Sequence, residues 1–79
     1  MTEQELLDRI TVNPDIFGGK PIIRGHRLAV EHVLGMMAAG DEADTILGAY
    51  PWLVRADIQA CLALRTAPGS SRAHRTAGN

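Results

Sequence analysis

The sequence predicts a mainly α-helical domain, with three helices in a helix-turn-helix arrangement after a small N-terminal β-hairpin. Three observations predict this fold. From residue 30 onward, apolar residues recur with the helical period, as on one face of an amphipathic helix. Before residue 30, short runs of β-branched residues are separated by glycine and proline, a pattern typical of strands and turns. Residues 67–79 contain no leucine, isoleucine, valine or aromatic residue, so we expect a domain over residues 1–66 and a flexible C-terminal tail.

The N-terminal segment predicts one helical turn followed by a short strand. Thr2 and Glu5 have the spacing of a capping box, in which each side chain accepts a hydrogen bond from the other residue's backbone. Residues 9–12 alternate polar and apolar side chains and are rich in β-branched residues, as in a strand. Asn13-Pro14 then predicts a turn.

A β-hairpin is predicted around Gly25-His26, between two short runs at residues 22–24 and 27–29. A two-residue loop that begins with glycine suits a type II′ turn. Arg24 and Arg27 would then face each other at the hairpin tip, where opposed like charges are mildly destabilising unless they meet a negative partner. Together with Lys20 they form a candidate phosphate-binding wing for DNA. Solvated cations at a hairpin tip are the alternative interpretation.

Three helices are predicted after the hairpin. The first carries a stripe from Val30 to Ala38, and Gly40 is expected to end it in a left-handed conformation. Asp41 is expected to cap the second helix, residues 43–49, which stops before Pro51. The third helix runs from about residue 54 to about residue 66, and its apolar side consists of Val54, Ile58, Cys61 and Leu62.

The segment Gly18-Gly19-Lys20-Pro21 contains the glycines and the lysine of a phosphate-binding loop. That motif requires serine or threonine after the lysine and then a helix. Proline and two isoleucines follow here instead. A tight turn between strands is therefore the favoured interpretation.

The third helix carries the candidate DNA-reading surface. Arg55, Gln59 and Ala63 lie on one line of its polar side. Arginine can read guanine, glutamine can read adenine, and alanine leaves room for a base edge in the major groove. A plain helical hairpin with a solvated face fits the same spacing equally well, because three-helix arrangements often bind no DNA.

Composition narrows the function classes. The formal net charge of −1 does not indicate a strongly basic nucleic-acid-binding chain, and the single cysteine, Cys61, excludes a disulfide framework. The histidines lack ligand spacing, so we expect no metal, no cofactor and no enzymatic activity. The acidic N-terminus and the lack of a long apolar run predict a cytoplasmic protein without membrane contact. A chain of 79 residues has a small core, which favours a homodimer.

The run from Arg9 to Arg65 resembles the family known as domain of unknown function 433. The matching phrases are Asn13-Pro14, Gly18-Gly19-Lys20-Pro21, Arg24-Gly25, Arg27, Ala39-Gly40, Ile46-Leu47, Tyr50-Pro51 and Asp57-Ile58. Members of that family are similar to VapB-type antitoxins. Such antitoxins have a homeodomain-like or winged helix-turn-helix and are often encoded beside a PIN-like ribonuclease toxin.

The resemblance therefore implies the antitoxin of a type II toxin-antitoxin system. Such a protein neutralises a PIN-like ribonuclease toxin and represses its own operon by binding operator DNA. The alternative is a protein-interaction module that holds a nuclease partner without binding DNA. Two positions depart from the family pattern. Val54 stands where the family usually has threonine or serine, and His26 stands where it usually has threonine.

The tail carries the candidate partner-binding residues. Arg72 and Arg75 lie in a segment with no acidic residue. An arginine can pair bidentately with the carboxylates that hold the metal of a PIN-like nuclease. We expect the tail to become ordered on the toxin, and the alternative is that it has no role.

Overall fold

Four α-helices and a two-stranded antiparallel sheet make up the fold in the computed structural model, which describes residues 1–66. The predicted tail, with Arg72 and Arg75, lies outside the described residues. No helix among those described is both long enough and apolar enough to cross a membrane. The elements are α1 (Glu3–Leu7), β1 (Ile10–Val12), a 3₁₀ turn (Phe17–Gly19), β2 (Pro21–Ile23), α2 (Val30–Ala38), α3 (Ala43–Ala49) and α4 (Arg55–Thr66). The mainly helical prediction is confirmed, and the helical turn predicted at the N-terminus forms the short helix α1.

Helix α1 begins with the predicted capping box. The Glu5 backbone N–H donates to Thr2 Oγ1 at 3.1 Å, and the Thr2 backbone N–H donates to Glu5 Oε1 at 2.8 Å. These two bonds satisfy donors that a five-residue helix would otherwise leave unpaired. Packing against α4 supplies the tertiary contacts that so short a helix needs.

The prediction of a hairpin over residues 22–29 is wrong. Strand β2 pairs with β1, in a register that places Ile10 opposite Ile23, and only one isolated bridge joins Ile22 to Ala29. The turn lies one residue earlier than predicted, because the His26 N–H donates to the Ile23 carbonyl at 2.8 Å.

Both central residues of this turn have positive φ, at 46° for Arg24 and 75° for Gly25, as in a type I′ turn. Positive φ is free of strain for glycine and unfavourable for arginine. The predicted geometry, with Arg24 and Arg27 facing each other across a hairpin tip, does not occur.

The helix ends follow local signals with one exception. Gly40, at φ 104°, ends α2 as predicted, with backbone bonds from Gly40 to Met37 and from Asp41 to Met36 that form a Schellman motif. The prediction that Asp41 caps α3 is wrong. Glu42 occupies the N-cap position, and its side chain makes no capping hydrogen bond.

The core lies between β2, α2 and α4. Its members are apolar side chains that are almost fully buried: Ile23, Leu28, Val30, Val33, Ile46, Leu53, Ile58 and Cys61. Helix α3 contributes Ile46, so α2, α3 and α4 share one core rather than forming two layers. One charged side chain is also fully buried among the described residues, and it belongs to Asp57.

Candidate functional site

The buried carboxylate of Asp57 is the centre of an ion cluster, which we call the Asp57 cluster. Arg24 donates to it in a bidentate manner, from Nε to Oδ1 at 2.9 Å and from Nη2 to Oδ2 at 2.8 Å. Arg9 Nη1 donates to Oδ1 at 3.0 Å, and the Val54 backbone N–H donates to Oδ2 at 3.1 Å. The carboxylate is 0% exposed, whereas the side chains of Arg9 and Arg24 are 24% and 35% exposed. The cluster therefore ties the loop after β2 and the start of β1 to the first turn of α4.

The cluster keeps its members charged. Burial acts to raise the pKa of Asp57, but hydrogen bonds from Arg24 and Val54 and the charges of Arg24 and Arg9 outweigh it, so the pKa is lowered. The hydrogen bonds to Asp57 raise the pKa of Arg24, against the opposing effect of burial. Since no buried side-chain polar atom of the described residues lacks a hydrogen bond, Asp57 is suited to holding structure rather than to proton transfer.

The Asp57 carboxylate also caps the start of α4, where the residue before the helix is Val54. Valine has no side-chain oxygen to cap a helix. Asp57 is the third helical residue, and its carboxylate accepts the backbone N–H of Val54, which is the reciprocal half of a capping box. One half of a capping box is therefore present at the start of α4, although residue 54 is a valine.

An aromatic stack covers the turn between α3 and α4. The His26 ring lies parallel to Trp52, with centroids 3.8 Å apart, and Tyr50 meets Trp52 edge-on at 6.3 Å. The Arg24 guanidinium lies 5.6 Å from the Trp52 ring centroid, and its Nη2 donates to the Trp52 carbonyl at 3.0 Å. These contacts fix the connection between α3 and α4 from the side of the sheet.

The predicted DNA-reading residues lie on α4, two of them exposed. Arg55 and Gln59 are exposed and Ala63 is half-buried. The Arg55 guanidinium forms an ion pair with Asp44 in the first turn of α3, and both side chains are more than 60% exposed. Exposed pairs of this kind are weak, so Arg55 can exchange Asp44 for another partner at low cost.

The three predicted wing cations do not form one surface. Arg24 is committed to Asp57, while Lys20 Nζ lies 2.9 Å from Glu31 Oε2 in an exposed ion pair. Arg27 is exposed, and within residues 1–66 it makes no side-chain hydrogen bond or ion pair. The loop therefore sends one cation inward and leaves the other two at the surface.

A groove of about 990 Å³ runs along the outer side of α2, and we call it the α2 groove. Its apolar lining comes from Phe17, Leu28, Ala29, Gly35, Met36, Ala39 and Tyr50. Lys20, Arg27 and Glu31 stand at the end where α2 begins, and Asp41 stands at the opposite end. Neither the groove nor the Asp57 cluster was among the sites that the sequence predicts.

One signal for the Asp57 cluster was present in the sequence. Asp57 lies one turn before Cys61 on the apolar stripe of the last helix, where a carboxylate must be paired if it is buried. Two arginines from the N-terminal segment could have been suggested as partners. Nothing local identifies which two, because the contacts span 33 and 48 residues.

The Cys61 thiol is inert. Burial, and then the negative charge of Asp57, raise the pKa of this thiol to about 12. A thiol in that state is not a nucleophile at neutral pH. Among residues 1–66 there is also no group of three side chains placed to hold a metal ion.

Known proteins of similar sequence and structure point to one family. The chain is 43% identical over 44 residues to the uncharacterised protein y4eO of Sinorhizobium fredii, a match that covers 56% of this chain but only 20% of that relative. The crystal structure of a DUF433 member protein from Anabaena variabilis superposes with a TM-score of 0.74 at 25% identity, covering 86% of this chain and 67% of that one. The model of the family described as protein of unknown function, DUF433, matches residues 10–64. This chain therefore belongs to the DUF433 family.

Proposed function

We propose that this chain is a sequence-specific DNA-binding protein, in which α3, the turn at residues 50–54 and α4 act as a helix-turn-helix. In such motifs the second helix enters the major groove and its N-terminal residues contact base edges. The observation that carries the proposal is the exposure of Arg55 and Gln59 near the N-terminus of α4. Arg55 would read guanine and Gln59 adenine, each through a bidentate pair.

The Asp57 cluster supports this proposal by fixing the end of α4 that would enter the major groove of the DNA. Positioning of a recognition helix to within a fraction of an ångström depends on rigid supporting contacts. Arg24, Trp52 and Val54 hold the turn from the side opposite to Arg55. We therefore assign Arg24 a positioning role through Asp57, in place of the direct phosphate contact expected from the sequence.

The pairing of Arg55 with Asp44 would help the chain to discriminate between matched and mismatched DNA sequences. A base edge that accepts two hydrogen bonds replaces the carboxylate, whereas a mismatched base leaves Arg55 paired within the protein. The cost of release is small because both side chains are exposed. Substituting Asp44 would then increase affinity for all DNA and reduce discrimination.

We further propose, from the resemblance to VapB-type antitoxins, that the DNA is the operator of the chain's own operon and that a PIN-like ribonuclease is the protein partner. Arg72 and Arg75 remain the proposed contacts to that partner. The competing proposal is an interaction module that never binds DNA. It is favoured by the net charge of −1 and by the three acids between α2 and the middle of α3 (Asp41, Glu42 and Asp44).

The DNA proposal is tested by measuring binding, through fluorescence anisotropy, to the DNA fragment that lies upstream of the gene for this chain. At about 0.1 M salt, where long-range charge effects are largely screened, the chain should bind this fragment more tightly than a shuffled duplex. Arg55→Ala should remove about 1–3 kcal/mol of that preference. Arg65→Ala, an exposed arginine at the other end of α4, is the matched control and should leave the preference unchanged.

Two results would reject DNA reading by α4. One is equal binding to the upstream fragment and the shuffled duplex, with and without the proposed PIN-like ribonuclease partner. The other is an Arg55→Ala protein with unchanged preference. Retention of the nuclease by such a protein would leave the interaction module as the function.

A further inference from the structure

We propose that a second copy of this chain packs into the α2 groove, with the two α2 helices antiparallel about a two-fold axis near Leu34 and Gly35. This interaction surface is independent of whether α4 binds DNA. Four features of the groove lead to it: its apolar lining, the charges at its ends, their spacing along the chain, and a glycine in the middle of the helix.

The lining is apolar at the surface of the described chain. Phe17 is 48% exposed on the groove rim, and it is one of four large apolar side chains left exposed in residues 1–66. Its backbone has φ 50°, an uncommon conformation for a bulky aromatic residue. The 3₁₀ turn thus presents Phe17 outward instead of burying it, and a docked chain would cover it.

The charges at the two ends of the groove are complementary to each other. Arg27 stands at one end and Asp41 at the other, and neither side chain has a hydrogen bond or ion pair in the described chain. In an isologous dimer, the same patch must complement itself across the two-fold axis. A cation at one end and an anion at the other satisfy that condition only when the helices run antiparallel.

The spacing of these charges fits the symmetry. Arg27 lies seven positions before Leu34, and Asp41 lies seven positions after it. Helix α2 spans the nine residues between Val30 and Ala38. Reversing one copy about the middle of the helix therefore brings each Arg27 to Asp41 of the other copy, which makes two equivalent ion pairs. Parallel pairing would bring like charges together and is disfavoured.

Gly35 lies at the crossing point and has no packing role within the described chain. It is exposed in the middle of α2, its φ is not positive, and a Cβ there would meet no atom within 4 Å. Glycine inside a helix is unfavourable relative to alanine. A glycine at the centre allows two helix backbones to approach closely, since the side chains at the contact set the distance between helix axes.

Sedimentation equilibrium of the full 79-residue chain tests this surface by charge reversal. Arg27→Glu and Asp41→Arg should each weaken self-association by roughly tenfold or more, because each places like charges opposite each other twice. An equimolar mixture of the two variants should form a heterodimer as tight as the wild-type homodimer. In that heterodimer, the two substituted side chains form one ion pair with exchanged charges, and the unaltered Arg27 and Asp41 form the other. Arg65→Glu, which reverses an exposed charge outside the groove, should change nothing.

A steric pair of variants tests the crossing point independently. Gly35→Leu should abolish self-association, whereas Gly48→Leu, at the exposed helical glycine of α3 outside the groove, should leave it unchanged. Circular dichroism confirms that each variant is folded. A wild-type chain that stays monomeric at tens of micromolar, a working range for weak association, overturns the proposal. So does a dimer that tolerates Gly35→Leu, or a mixture of the charge variants that forms no heterodimer.

Discussion

Arg24 and Arg27 lie in the same loop, three residues apart, yet they belong to two regions of opposite character. Arg24 enters the Asp57 cluster, where every polar atom of the carboxylate is paired and the anion is fully buried. Arg27 stands at the end of the α2 groove, and an acid without a partner in the described chain stands at the far end. The comparison shows that an arginine stabilises the fold when its partner lies within the chain, as for Arg24. An arginine without such a partner, as for Arg27, can bind another molecule.

Backbone conformation separates the two regions. Arg24 has positive φ, which directs its side chain toward α4, 33 residues away, and four hydrogen bonds on Asp57 offset the strain. Arg27 carries no such strain, since its φ is not positive. We therefore expect substitution of Arg24 to lower the stability of the whole fold more than substitution of Arg27.

The largest expected effect is that of Arg24→Ala on stability. Removing one partner of a buried pair costs about 3–5 kcal/mol. Because the Arg24 side chain is 35% exposed and Arg9 stays in place, we expect a loss of about 2–3 kcal/mol in the free energy of unfolding. Urea denaturation at pH 7 measures it. Arg24→Lys keeps the positive charge but loses the bidentate contact, so its free energy of unfolding should lie between those of the wild type and Arg24→Ala. An Arg24→Ala protein as stable as wild type would contradict the structural role.

Acid should weaken the Asp57 cluster. The pKa of Asp57 is lower in the folded chain than in the unfolded one, so its contribution to stability is complete above about pH 4 and is lost as the pH falls through the folded value. Urea denaturation at a series of pH values should show this loss in the wild type. Asp57→Asn should show a smaller loss over the same range, and equal losses in both proteins would exclude Asp57 as the source.

Arg9→Ala should have a smaller effect than Arg24→Ala. Arg9 makes one hydrogen bond to Asp57, and the bidentate contact from Arg24 remains without it. The expected loss is about 1 kcal/mol, measured by the same denaturation. If Arg9→Ala proved the more destabilising of the two, the cluster would be centred on β1 rather than on the loop after β2.

The smallest effect on stability is expected for Arg27→Ala. Arg27 is exposed and its side chain makes no bond within the described chain, and surface changes of this kind usually fall within about 0.5 kcal/mol. The measurement requires a dilution at which the chain is monomeric, because self-association would add its own stabilisation. A loss as large as that of Arg24→Ala would remove the distinction between the two regions.

The parts of the fold that could be predicted depend on signals within a few residues. The Thr2–Glu5 box, the end of α2 at Gly40 and the helical stripes follow from spacing alone. The pairing of β2 with β1 could not be predicted, because alternating strands specify a buried face and not a partner. The cap of α3 was misplaced by one residue for a related reason, since two adjacent acids offer the same chemistry.

The Asp57 cluster could be predicted only in part. Arg24-Gly25 and Asp57-Ile58 are both among the phrases that carry the family resemblance, but nothing in the sequence pairs Arg24 with Asp57. The roles of Arg24 and Arg27 were not separable, because the turn that distinguishes them is fixed by a residue far along the chain. Long-range electrostatic partners of this kind are decided by the tertiary structure.

A double-mutant cycle on Arg24 and Asp57 tests the central claim most directly. The free energies of unfolding of wild type, Arg24→Ala, Asp57→Ala and the double variant are measured in urea at pH 7, with trimethylamine N-oxide present so that all four proteins fold. If the two residues form one buried ion pair, the double variant should lose less stability than the two single losses combined, by about 1–3 kcal/mol. Losses that add to within about 0.5 kcal/mol would contradict a shared role for Arg24 and Asp57.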